Sequence, residues 1–215
     1  MIKRSSKVKI VLYVFGILIL TFGISFTLQS DLGTSPFDAL LVGLSNNVGL
    51  TVGSWEIIIA FLLICCNALL KKERPEVLGL VTAFITGIGI DLWLFLLHDL
   101  VTPELMLSKV LCFSIGLVTI GLGTAIYLHT NFAPIPIDRL TLIIQELTKK
   151  TLFFSRTVIY FVFLILAIIF KGPIGVGTIL TVCFGGLILH FFMPYTKKVI
   201  DRLVCHDANE KDHSI

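Results

Sequence analysis

Apolar positions gather into six runs of close to 20 residues, at 10–28, 52–70, 77–97, 105–128, 152–170 and 176–195. A helix rising about 1.5 Å per residue needs about 20 apolar residues to cross a hydrocarbon layer, so each run predicts a membrane-spanning helix. Two shorter segments interrupt the pattern. The first, PFDALLVGLSNNVG at 36–49, sets Phe37, Leu40, Leu41, Leu44 and Val48 at helical spacing within 14 residues. That length predicts a re-entrant or interfacial helix. The second, IPIDRLTLIIQELTKK from Ile135, is more polar, with Arg139, Gln145, Glu146, Lys149 and Lys150, and is expected to lie along the interface.

The same punctuation precedes both short segments: SDLGTSPFD from Ser30 and TNFAPIPID from Thr130. In the first, Ser35 suits a helix N-cap, Pro36 the first helical position and Asp38, three residues after the cap, the acid of a capping box, while Gly33 permits the turn before it. Open backbone N–H groups at such a helix start also attract anions, so Asp38 has both a capping and a binding reading.

Sliding the chain by 100 residues aligns Lys9 with Lys109, Gly16 with Gly116, Gly23 with Gly123, Leu28 with Leu128, Pro36 with Pro136, Asp38 with Asp138 and Leu40 with Leu140. A slide of 98 aligns Pro75, Gly79 and Gly87 with Pro173, Gly177 and Gly185. The expected organisation is therefore a three-helix repeat at 1–100, a second at 101–198, and a cytoplasmic tail at 199–215 that is polar and without periodicity after Arg202. An odd number of spans per repeat inverts the second half. The predicted fold class is all-α: a polytopic membrane protein of six transmembrane helices, a 3+3 inverted repeat with two short re-entrant or interfacial helices. Inverted repeats are a recurrent plan of secondary transporters.

Composition excludes a water-soluble domain: 56% of residues are hydrophobic and 14% charged, with a mean hydropathy of +0.98. With six spans, fifteen of the 17 Lys and Arg residues fall on one side, against Lys109 and Lys171 on the other. The positive-inside rule then puts both termini in the cytoplasm. The basic MIKRSSKVK before the first run invites a signal-peptide reading, but the apolar core is long and no small-x-small site follows, so a retained helix is expected. Cys65, Cys66, Cys112 and Cys183 fall within spans and Cys205 in the tail, without metal spacing; no metal and no cofactor is expected.

Asp91 is the acid deepest in a predicted span. A carboxylate there costs about 2.5 kcal/mol or more when exposed to lipid, so it should face protein or water, as a substrate or proton site or as a tie between helices. His190, near the matching place in the last span, either reaches interfacial water or serves a relay. Glu56, beside Trp55 in an aromatic belt, is expected to be solvated, and Asn67 and His129 to bond between helices. The candidate substrate-binding set is Ser35, Asp38, Asp91, Asn131, Asp138 and His190; no catalytic residue is assigned.

The succession SDLGTSPFDALLVGLS, GLTVGSWE and PEVLGLVTAFITGIGID resembles the YczE/YyaS/YitT-type group of bacterial membrane proteins, with Phe37 where tryptophan is common in the group. The resemblance implies a bacterial cytoplasmic-membrane protein of a kind often supposed to be a transporter, and carries over no catalytic residue and no ligand.

The leading functional expectation is a secondary transporter of a small solute, working by alternating access and driven by a proton or cation gradient. The alternative is a non-transporting membrane partner that anchors or regulates another protein. No Walker A, HExxH or GxSxG sequence occurs, so an enzyme is not expected. The expected partners are the lipid bilayer, the solute and, because six helices make a thin wall, a second copy in a homodimer; no nucleic acid is expected.

Overall fold

Long apolar stretches broken by Gly, Pro and Ser fold into eight helices among the described residues: α1 (Ile2–Gln29), α2 (Pro36–Val48), α3 (Val52–Lys71), α4 (Val77–Leu97), α5 (Met106–His129), α6 (Pro136–Thr148), α7 (Leu152–Ile169) and α8 (Val176–Asn209). The computed structural model describes residues 2–130 and 132–209, with side chains for these except 2–7, 152, 201 and 203–209. The two short helices, α2 and α6, both begin at a proline and both have 13 residues.

Five helices are long and apolar enough to cross a membrane, within α1, α3, α4, α5 and α8; Phe153–Ile169 of α7 is a shorter apolar helix. Phe61, Phe84, Phe95, Phe161 and Leu187 point outward. Surface of that kind suits hydrocarbon rather than water. The chain is an integral membrane protein.

Two features depart from expectation. The first helix starts at Ile2, ahead of its apolar run. The last continues through Pro194 to Asn209, so the tail is helical to that point, including residues 203–209 of the stretch expected to be aperiodic. Val199 and Ile200, followed by Leu203 and Val204, recur one turn apart in the sequence, and that spacing favours a helix across a proline that removes one backbone donor.

At the centre α1 packs on α5 along most of its length. Glycines make this possible. A Cβ at Gly16 would stand 2.8 Å from the Tyr127 amide nitrogen, one at Gly23 2.7 Å from the Gly116 carbonyl, and one at Gly123 2.8 Å from the Gly16 carbonyl. Residue numbers rise along one helix as they fall along the other, so the pair is antiparallel and its backbones touch. Around it, α4 packs on α1 and α8 on α5. In front, α3 and α7 each pack on both short helices, α2 and α6, which closes a ring of four.

Loops are pinned across the molecule. Gly33, at φ 95°, turns the chain into α2, and the Leu32 carbonyl accepts from the Gly177 amide at 2.8 Å at the start of α8. Correspondingly, the Ala133 carbonyl before α6 accepts from Tyr13 and from Thr82 of α4, both at 3.3 Å. Buried hydroxyls are satisfied locally: Ser25, Thr86 and Thr181 donate to carbonyls four residues back at 2.9–3.0 Å.

Gly23→Leu should force α1 and α5 apart and cost about 1–3 kcal/mol, as overpacking does. Gly186→Ala, which meets no atom within 4 Å, should leave the thermal midpoint of the detergent-purified protein unchanged. Equal midpoints for the two variants would contradict the crossing.

Candidate functional site

Inside the ring lies a cavity of about 100 Å³, lined from all eight helices. Its polar residues are Ser35 and Asp38 of the α2 start, Glu56 of α3, Asp138 and Thr141 of α6, Arg156 and Tyr160 of α7, and Thr86, Thr124 and Thr181. Several are repeat partners at the 100-residue slide: Asp38 with Asp138, and Glu56 with Arg156.

The start of α2 follows its sequence signals. The Ser35 hydroxyl accepts from the Asp38 amide at 3.1 Å and donates to Asp38 Oδ2 at 2.6 Å. This occupies the open first-turn donor that an anion would otherwise use. Asp38 is 6% exposed. At α6, Ile135 occupies the cap position without a side-chain bond, and the Asp138 carboxylate accepts from the Tyr127 hydroxyl of α5 instead. With Asp138 on the cavity wall and Pro136 buried, α6 turns its first turn inward rather than lying wholly along the surface.

Glu56 overturns the expectation that it is solvated. It is 1% exposed and lines the cavity, and no hydrogen bond joins its carboxylate to another described residue. Trp55, its neighbour, donates to the Gly49 carbonyl at 2.7 Å and packs, partly buried, against the apolar cluster of α2 and α7. One residue turns the helix by about 100°, and that step sets Glu56 on the cavity wall with Asp38 of α2 and Asp138 of α6. Across the cavity, Arg156 Nε donates to the Tyr160 hydroxyl at 3.1 Å, with the guanidinium 5.3 Å from that ring's centre. Among the described residues no carboxylate lies within ion-pair distance of Arg156.

The other candidates lie elsewhere. Asp91 accepts from the Gly53 amide at 2.8 Å and the Thr51 hydroxyl at 2.6 Å, closing α4 onto the start of α3. A carboxylate at a helix N-terminus is favourably placed against the open amides and the dipole. His190 is exposed on a separate apolar cleft of about 610 Å³ between α7 and α8. Asn131 lies outside the described residues. Asn67 donates to the Pro136 carbonyl at 3.1 Å, leaving its Oδ1 unpartnered, and His129 meets Thr196 of α8 at 3.3 Å, so both connect helices.

Sequence reasoning missed Glu56 and Arg156 as cavity residues. The 100-residue slide could have found them, because it matches an acid in one half to a base in the other, each inside an apolar run. Among the described residues no group of three His, Cys, Asp or Glu side chains could hold a metal ion.

These features define a class: an all-helical, polytopic integral membrane protein with a charged cavity at its centre. The chain belongs to the family of unknown function DUF6198, whose model matches residues 7–194. It is similar to the uncharacterized protein YyaS of Bacillus subtilis (strain 168), 64% identical over 88% of this chain and 94% of that one. It is also similar to the uncharacterized membrane protein YczE of the same organism, 35% identical over 89% of this chain and 88% of that one. No solved structure matches the chain.

Asp91→Ala leaves the Gly53 amide and Thr51 hydroxyl without their charged acceptor. It should lower stability by about 1.5–3 kcal/mol, the usual worth of bonds to a charged group. The thermal midpoint in detergent measures this; a midpoint equal to that of the parent protein would show that the α3–α4 clasp carries no weight.

Proposed function

We propose that this protein is a secondary transporter that carries a small solute by alternating access, with the ring of α2, α3, α6 and α7 around its binding site. The observation that carries the reading is the central cavity, where Asp38, Asp138, Glu56 and Arg156 meet inside an otherwise apolar membrane protein. Ionisable groups within a membrane are costly, and they mark solute and ion paths. In this reading α7 is a sixth span and residues 1–100 and 101–198 are inverted repeats. The antiparallel α1–α5 crossing, in which Gly16 meets Gly123 and Gly23 meets Gly116, supports the inversion. Both termini are then cytoplasmic, the membrane is the bacterial cytoplasmic membrane, and a proton or cation gradient drives uptake or export. The protein is not an enzyme, and a homodimer is its proposed assembly.

A difference between the halves supports movement. α3 and α4 approach at Gly53 and Gly87, where a Cβ on either glycine would collide with the other's carbonyl. Their counterparts α7 and α8 barely touch, and the apolar cleft opens between them. Two copies of one motif thus adopt a closed and an open packing. Exchange of the two would alternate access to a fixed central site.

Proteoliposomes loaded with a bacterial small-molecule extract should lose at least one solute, and Glu56→Gln should slow that loss about tenfold or more, given a charged contact worth about 1.5–3 kcal/mol. Identical loss from protein-free vesicles would remove the transport reading. In a background without the native cysteines, Ser35→Cys and Pro136→Cys should react with impermeant maleimide from opposite sides of the membrane. Labelling from one side would end the inverted repeat.

A further inference from the structure

Glu56 and Arg156 occupy the same position in the two halves and carry opposite charges. Their helices, α3 and α7, share both neighbours in the ring, since each packs on α2 and on α6. The two therefore stand across the ring from one another, and both side chains line the cavity. The second diagonal is different in kind. Asp38 on α2 is already engaged by Ser35, and Asp138 on α6 by Tyr127.

Glu56, 1% exposed, faces the cavity with no hydrogen bond or ion pair to another described residue. A buried carboxylate with no donor is expensive unless a ligand supplies one. Arg156 is the complement. A guanidinium carries five N–H donors in a planar fork suited to a carboxylate. Among the described residues only Nε is bonded, to Tyr160.

Resting on the transporter reading above, we propose that the solute is a small zwitterion of the amino-acid type, its ammonium group held by Glu56 and its carboxylate by Arg156. A metal ion fits the site poorly, because the acids do not converge on a metal-sized point among the described residues. A simple amine would leave the Arg156 fork unanswered, and a simple acid would leave Glu56 so. The cavity, about 100 Å³, selects compact molecules. Arg156, Tyr160, Thr181 and Leu189 line both the cavity and the apolar cleft between α7 and α8, so the cleft lies behind this wall of the site.

The test is a melting-point screen of the full-length protein in detergent. The panel holds the twenty common amino acids, glycine betaine and taurine, set against ethylamine, putrescine, propionate and succinate. At saturation at least one zwitterion should raise the midpoint by about 3 °C or more, since a ligand that binds only the folded form stabilises it. The single-charge compounds should not. Glu56→Gln should abolish the zwitterion shift, and the double variant Glu56→Arg with Arg156→Glu, if it folds, should restore it. If no zwitterion shifts the midpoint, or an amine or acid shifts it as far as the best zwitterion, the assignment is overturned. Solute loss from proteoliposomes in that case would leave the transporter reading standing with another cargo. Zwitterion binding without any solute movement would keep the assignment and remove transport.

Discussion

Backbone contact between α1 and α5 is the constraint on which the remaining structure depends. Four glycines at repeat-equivalent positions, Gly16, Gly23, Gly116 and Gly123, let the two helices meet where larger residues would hold them apart. In lipid there is little hydrophobic drive between apolar helices, so dense van der Waals packing of this kind is what holds them together. Because the helices run antiparallel, the chains leaving them set off from opposite ends of the pair. The short helices α2 and α6 then turn back toward the middle, and each loop is pinned on the far half: Leu32 on the start of α8 and Ala133 on α4.

Polarity is distributed with the same economy. Most buried hydroxyls return to their own helix, a partner that needs no second element. Outer charges form ion pairs near helix ends, such as Lys109 with Asp31 at 2.7 Å and Arg139 with Glu76 at 2.6 Å. Asp38, Glu56, Asp138 and Arg156 are collected in one cavity. This concentration is hard to reconcile with packing alone, because an apolar side chain at position 56 would avoid the cost of burying a carboxylate without a donor.

The difference between the α3–α4 and α7–α8 pairs has a local chemical origin. Gly53, which lets α3 touch α4, corresponds to Phe153 on α7, and Phe153 is exposed. Asp91, which clasps α3 through two hydrogen bonds, corresponds to the apolar Leu189 at the 98-residue slide. One half therefore has a small residue and an ionic latch where the other has a bulky ring and neither.

Helix positions were legible in the residues themselves, since run length and the Ser35–Pro36–Asp38 and Pro136–Asp138 signals are local properties that hydrogen-bond geometry and hydrocarbon thickness dictate. The start of α2 is capped by Ser35 as those signals require. The sequence alone could not say that Glu56 turns into the cavity, that Asp91 is spent on a helix start, or that α8 runs on past Pro194. Each of these depends on which neighbour faces a given side of a helix, and an apolar helix exposed to lipid carries only a weak record of its inward face. Tertiary packing decided the site, because only the antiparallel crossing and the ring in front of it bring positions 38, 56, 138 and 156 into one cavity.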